Sequence, residues 1–300
     1  MAMRYAGELA ALGTAVSWSI GSNFFAAAGQ RMGSVVLNRL RISTACVLLS
    51  LALLATRGAP WPVWATGAQV GWLAASGLVG FVFGDTWYFR SLVILGPGRA
   101  ALLASSGPIF TMGFAALLLH EHPGPLALVG TAMTLAGIAW VLRERERGHV
   151  AHVEGSAAMG VIAGLLAALG QAGGYVLSKT ALKTGIDPLS ATLIRVSAAA
   201  LAIWLLATVE RAIPATLGAL RDRRAAAFMF GGAVFGPFLG VTLSLTAIRY
   251  IDTGVAASIT AIYPIFTLLI AARFHREPLT WKVLLGALVA VAGVVVLFLR

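Results

Sequence analysis

Long apolar runs separated by short polar breaks fill this chain. Ten of them reach the roughly 20 residues that a helix rising 1.5 Å per residue needs to cross a hydrocarbon core about 30 Å thick. They lie near Gly7–Gly29, Val35–Ala55, Gln69–Leu92, Ala100–Leu119, Pro125–Leu142, Gly155–Ser178, Leu189–Val209, Ala226–Ile248, Gly254–Phe274 and Thr280–Leu299. Most connections are too short to fold by themselves. The pattern predicts an all-α integral membrane protein with ten transmembrane helices. The first run has Arg4 before it and a small-residue stretch at Ala26-Ala27-Ala28, the outline of a signal peptide. Polar Ser17, Ser19, Ser22 and Asn23 interrupt it, however, and it has a counterpart later in the chain, so it is read as a retained first helix.

The apolar pattern repeats. Shifting the chain by 156 residues lays Gly71–Arg143 on Ala227–Leu299 without a gap, with 17 of 73 positions identical. The informative matches are Pro108-Ile109-Phe110-Thr111 on Pro264-Ile265-Phe266-Thr267, Glu121 on Glu277, and Gly80, Gly84, Gly130 and Gly137 on Gly236, Gly240, Gly286 and Gly293. A shift of 154 lays Arg41-Ile42-Ser43 on Arg195-Val196-Ser197. Five spans per copy is an odd number, so the second copy enters the membrane upside down. Inverted repeats are a recurring transporter design, because two related halves can exchange conformations around a central site. The expected organisation is a first repeat at 1–143, a linker at 144–155 and a second, inverted repeat at 156–300, around a central cavity.

Composition sharpens this picture. Of the 300 residues 59% are hydrophobic and 11% charged, against about 25% charged in a soluble domain. The net charge of +11 does not form a soluble basic face, so nucleic acid is not an expected partner; lipid headgroups and a small-molecule substrate are. Six basic residues fall on the side of the N-terminus and fourteen on the other, with Arg90 and Arg195 inside spans. The positive-inside tendency therefore puts both termini outside the cytoplasm. The lone cysteine, Cys46, allows no internal disulfide. His120-Glu121-His122 lacks the helical i,i+4 spacing of a zinc pair. No phosphate loop or nucleophile motif occurs, and neither metal, cofactor nor enzymatic activity is expected. The oligomeric state stays open, with a monomer as the working expectation.

Gly84-Asp85-Thr86-Trp87-Tyr88-Phe89-Arg90-Ser91-Leu92, then Gly98-Arg99-Ala100-Ala101, Pro108-Ile109-Phe110, the loop Glu121 and the Gly130/Gly137 helix together resemble the EamA repeat of the drug/metabolite transporter superfamily. The second half carries a degenerate copy, with Val241 where Asp85 would stand. The resemblance spans both halves. It implies ten helices in a bacterial inner membrane, moving small metabolites through a central cavity by alternating access. It extends in particular to exporters of aromatic and other neutral amino acids. Proton-coupled export of cationic drugs is the alternative within the superfamily; a membrane-embedded enzyme or structural partner is the alternative outside it. Small multidrug members rely on a glutamate embedded in the first helix. Here that helix has only Glu8, at its edge.

Intramembrane polar residues are pathway candidates. Trp18, Ser22 and Asn23 on the first helix, Tyr88 on the third, and Gln171, Tyr175 and Lys179 on the sixth are expected to line the cavity, together with Ser258, Thr260 and Tyr263 on the ninth. Asp85, the acidic residue well inside a span, is a candidate for gating or coupling, with an ion pair to Arg90 or another arginine as the structural alternative. Arg41 and Arg195 occupy matching positions. They are expected on opposite membrane faces, either attracting carboxylates at the two mouths or snorkelling near helix ends. Pro108 and Pro264 deprive the carbonyls of Ala104 and Thr260 of their usual donors and are candidate hinges. The glycines of helices three and eight read as packing faces.

Overall fold

The computed structural model describes residues 5–95, 97–146, 156–275 and 280–299; Arg4, Arg147, Arg276, Glu277, Arg300 and most of the expected linker lie outside these. Every regular element among them is helical. The first half contains α1 (Ala6–Met32), α2 (Ser34–Arg57), α3 (Gly67–Gly77), α4 (Asp85–Leu95), α5 (Pro97–Ala104), α6 (Gly107–Leu119) and α7 (Pro125–Glu146). The second contains α8 (Ala157–Leu182), α9 (Pro188–Val209), the short α10 (Ile213–Gly218), α11 (Arg223–Ala233), α12 (Val241–Tyr250), α13 (Thr253–Thr260), α14 (Tyr263–His275) and α15 (Trp281–Leu299). Eight helical stretches among the described residues are long and apolar enough to cross a membrane. The polar-interrupted α1 is not one of them, and Thr253–Thr267 is a shorter apolar stretch.

Local chemistry sets the boundaries. Gly33, at φ +78°, separates α1 from α2; this left-handed backbone is one that glycine adopts without steric cost. Thr66 and Gln69 form a reciprocal capping box at the start of α3. The Asp187 carboxylate accepts from the Ser190 amide at 3.0 Å to open α9.

Two features repeat at the 156-residue offset. Leu78–Gly84 joins α3 to α4 as a π-helical segment, and Val234–Gly240 joins α11 to α12 in the same way. The turn at Ser105-Ser106 that divides α5 from α6 recurs at Ala261-Ile262 between α13 and α14. Both turns lie just before the matched prolines. A proline nitrogen cannot donate to the carbonyl four residues back, and each helix restarts one residue before it. The sequence pattern predicts bends at Pro108 and Pro264; the structure places a two-residue turn before each, within an otherwise continuous helical stretch.

The halves interlock. α1 packs against α11, α12, α13 and α14 of the second half, and α8 packs against α3, α4, α5 and α6 of the first. Glycine allows these approaches. A Cβ on Gly170 would stand 2.8 Å from Gly84 Cα, one on Gly174 3.2 Å from Gly80 Cα, and one on Gly21 3.1 Å from the Gly236 amide nitrogen. The first helix of each half thus lies against the π segment of the other. Side chains satisfy carbonyls there: Gln171 Nε2 donates to Gly80 O at 3.2 Å and Ser17 Oγ to Phe235 O at 2.6 Å.

Candidate functional site

A cavity of about 780 Å³ lies between the halves, within the range of small-molecule sites. Its wall is drawn from α1 (Trp18, Ser22, Phe25), α2 (Leu37, Arg41), the first π segment (Phe81), α4 (Asp85, Tyr88, Phe89), the α5–α6 turn (Ser105), α6 (Pro108, Thr111), α8 (Gln171, Tyr175), α13 (Thr260) and α14 (Tyr263). The lining reaches the exposed Gln30 and the half-buried Ser34 at the α1–α2 turn, so the cavity extends to that end of the bundle.

Of the residues singled out from sequence, ten line this cavity: Trp18, Ser22, Arg41, Asp85, Tyr88, Pro108, Gln171, Tyr175, Thr260 and Tyr263. Five lie elsewhere, each for a visible reason. Asn23 points back along α1, its Nδ2 donating to Ser19 O at 2.9 Å. Ser258 is buried between helices, accepting from Thr131 Oγ1 at 3.0 Å and donating to Gly254 O at 2.8 Å. Pro264 is buried inside the α13–α14 junction without reaching the cavity surface. Lys179 shares a face with Gln171 and Tyr175 but sits a turn beyond the cavity, where its ammonium donates to the carbonyls of Ile248 and Ile251 and lies 3.6 Å from the Glu121 carboxylate. Arg195 is behind the wall, 1% exposed. Its guanidinium carbon lies 4.7 Å from the Phe81 ring centroid and 5.7 Å from that of Tyr175, and its Nε has no hydrogen-bond partner among the described residues.

The arginines depart most from expectation. Both are buried within the helical bundle rather than extended from a helix end. Arg41 is buried in the second turn of α2, its Nη2 donating to Asp85 Oδ2 at 2.6 Å and its Nε to Asn38 Oδ1 at 2.8 Å. The Phe25 ring centroid lies 5.0 Å from its guanidinium carbon. The second oxygen of Asp85 accepts from Gln171 Nε2 at 3.0 Å. Asp85 therefore pairs across 44 residues with Arg41, while Arg90 stacks over Trp87 at 5.3 Å. Arg195 Nη2 lies beside Gly80 and Gly174, where the first π segment meets α8. The apolar-walled cavity thus presents one guanidinium, one carboxylate and one amide, with the Arg195 guanidinium buried behind its wall.

Phe25, Phe81 and Phe89 were missed from sequence, because an apolar residue in an apolar helix carries no sign of whether it meets lipid or cavity. Both π segments were missed as well; the glycines at each end of Gly80–Gly84 and Gly236–Gly240, with Pro237 inside the second, were the available signal. Among the described residues no group of three His, Cys, Asp or Glu side chains is placed to hold a metal ion. His120, in the left-handed region at φ +56°, ends α6.

The comparisons with known proteins agree with this architecture. An aromatic amino acid exporter, YddG, of Ancylobacter novellus is 35% identical over 89 residues. The matched stretch covers 30% of this chain and 28% of that exporter. A solved crystal structure covers 97% of this chain, and 95% of its own, with a TM-score of 0.73 at 18% identity, a likeness of fold. The model of the EamA-like transporter family matches residues 5–143 and again 158–299. Helical in every regular element among the described residues, apolar enough to live in a membrane and built around a cavity shared by two family-matched halves, the chain belongs to the EamA-like transporter family.

Proposed function

We propose that this membrane transporter exports amino acids, aromatic and other neutral ones, or similar small metabolites, by alternating access. The observation that carries the reading is the make-up of the cavity. Trp18, Phe25, Phe81, Tyr88, Phe89, Tyr175 and Tyr263 supply aromatic wall, and the Arg41–Asp85–Gln171 cluster supplies one fixed polar spot. An amphipathic solute with an apolar side chain and a charged head matches both. The named relative, an aromatic amino acid exporter, supports the same class. Two buried guanidiniums, Arg41 in the wall and Arg195 behind it, against one carboxylate disfavour a cationic drug, whose own charge would add to the excess.

The arrangement fits ten transmembrane helices in two inverted five-helix repeats, 1–143 and 156–300, in a bacterial inner membrane. Helix α1 has 27 residues and so spans about 40 Å. Its C-terminal end, beside Gln30, is where the cavity emerges; at its other end Gly7 packs on Ile251. The Lys/Arg asymmetry makes the former end cytoplasmic, so the cavity faces the compartment from which an exporter loads. Pro108 and Pro264 serve as the hinges. In this reading the protein works as a monomer in the bilayer, with a small-molecule substrate as its partner.

The test is counterflow in liposomes. Purified protein should accumulate labelled phenylalanine, tyrosine or tryptophan against a preloaded unlabelled pool. Absence of counterflow for every aromatic and neutral amino acid tried, alongside movement of a cationic dye, would reject the reading.

A further inference from the structure

We infer that Arg41 is the specificity-determining residue that reads a carboxylate on the transported solute, and that the solute's amino group goes unread. This rests on the export reading above and on the cavity being the solute's seat. Arg41 offers its donors in three directions. Nε is taken by Asn38 and Nη2 by Asp85, while Nη1 has no hydrogen-bond partner among the described residues. The residue lines the cavity, and the Phe25 ring 5.0 Å away covers the flat of the guanidinium. Asn38, Asp85 and Phe25 thereby hold the plane of the fork with one nitrogen left to give. A carboxylate can accept from it without breaking the Asp85 pair, in a charge-assisted bond to a pre-oriented donor.

The same geometry leaves little for an ammonium. Asp85 Oδ2 is bound by Arg41 and Oδ1 by Gln171, so a second cation would have to displace one of them. The charge count points the same way: Arg41 and Asp85 in the wall balance each other, and Arg195, buried behind the wall at 1% exposure, adds one positive charge in excess. An unpaired charge away from water is costly, and a solute bearing a single negative charge removes that cost. A zwitterion brings its own cation and removes less. The substrate class is therefore the amphipathic monocarboxylates. Aromatic amino acids belong to it through their carboxylate, and their deaminated counterparts bind at least as well. In this assignment Asp85 is a positioning residue that orients Arg41.

The experiment uses the full-length protein in liposomes preloaded with unlabelled phenylalanine. Uptake of labelled phenylalanine is measured against competing phenylpyruvate, which keeps the carboxylate and lacks the amino group, or phenylalaninamide, which keeps the amino group and lacks the carboxylate. Phenylpyruvate should compete as well as phenylalanine itself, and phenylalaninamide at least about tenfold more weakly, the loss expected of one charge-assisted bond. This comparison needs no variant. Arg41→Lys should retain part of the preference for the acid, and Arg41→Gln should erase it. Phenylalaninamide competing as well as phenylpyruvate would overturn the assignment while leaving export intact. No counterflow of phenylalanine at all would remove both.

Discussion

The Glu121 carboxylate, in the loop between α6 and α7, accepts two hydrogen bonds from Thr253 at the start of α13, one from its amide at 2.7 Å and one from its hydroxyl at 3.1 Å. Lys179 stands 3.6 Å away and reaches on to the carbonyls of Ile248 and Ile251. Lys183 Nζ donates to Leu119 O at 3.1 Å. Together these groups tie both halves at the end of the bundle opposite Gln30. A carboxylate at a helix N-terminus meets free amides and the positive end of the dipole. Removing it also takes from Lys179, itself about 10% exposed, the carboxylate paired with it at 3.6 Å. Glu121→Ala should lower stability by about 3–5 kcal/mol, the cost of breaking a buried pair. Glu121→Gln, which keeps an acceptor for Thr253, should lose less. Thermal unfolding in detergent measures both, and an unchanged midpoint for Glu121→Ala would contradict the account.

Helices α7 and α15 meet along glycine. A Cβ on Gly137 would lie 2.4 Å from the Ala290 amide nitrogen and 2.6 Å from Gly286 O; one on Gly293 would lie 2.5 Å from the Thr134 nitrogen. These neighbours are backbone and cannot step aside. Gly137→Ala should therefore cost about 3 kcal/mol, the upper end of overpacking penalties. Gly113→Ala, where a Cβ meets nothing within 4 Å, should be neutral or mildly stabilising. Equal midpoints for the two variants would refute the contrast.

Asp222 lies in the loop before α11. The Ala225 amide and the Arg31 guanidinium, each about 3 Å away, hold its carboxyl below the usual carboxylate range. A group whose folded pKa is depressed adds stability above its unfolded value, near 3.9, and loses it as pH falls through the lower folded value. The contact between α1 and α11 should thus be intact at neutral pH and weaken only below about pH 4. Asp222→Asn should flatten that acid response. Proteolysis of the loop as a function of pH follows it, and an identical profile in the variant would exclude Asp222.

Pro108→Ala restores an amide that can donate to Ala104 O and favours a continuous helix across Ser105-Ser106. If the interruption is where the halves flex, flux should fall several-fold while thermal stability holds or rises. Normal flux from a stable Pro108→Ala protein would show that the break is architectural.

Much of the architecture was legible because lipid imposes a strong rule: apolar runs of membrane length leave few alternatives to helices. The repeat was legible through rare residues, the matched Pro-Ile-Phe-Thr motifs above all. The partner of Asp85 was not. Arg41 is on another helix, and nothing along the chain favours it over Arg90, five residues away. Nor could spacing decide which of Gln171, Tyr175 and Lys179 reach the cavity. Periodicity places all three on one face, but the cavity ends after two.

The π segments carry a final consequence. Leu78–Gly84 holds one residue more than an ordinary helical path would, and Asp85 follows it at once. Deleting a single residue within that segment would rewind everything downstream by roughly 100°. Asp85 would swing off Arg41 and Gln171, and Tyr88 and Phe89 would leave the cavity with it, although no substrate-facing side chain had been altered. The swelling in the helix is thus a register mark: it sets the clock position from which α4 presents its chemistry.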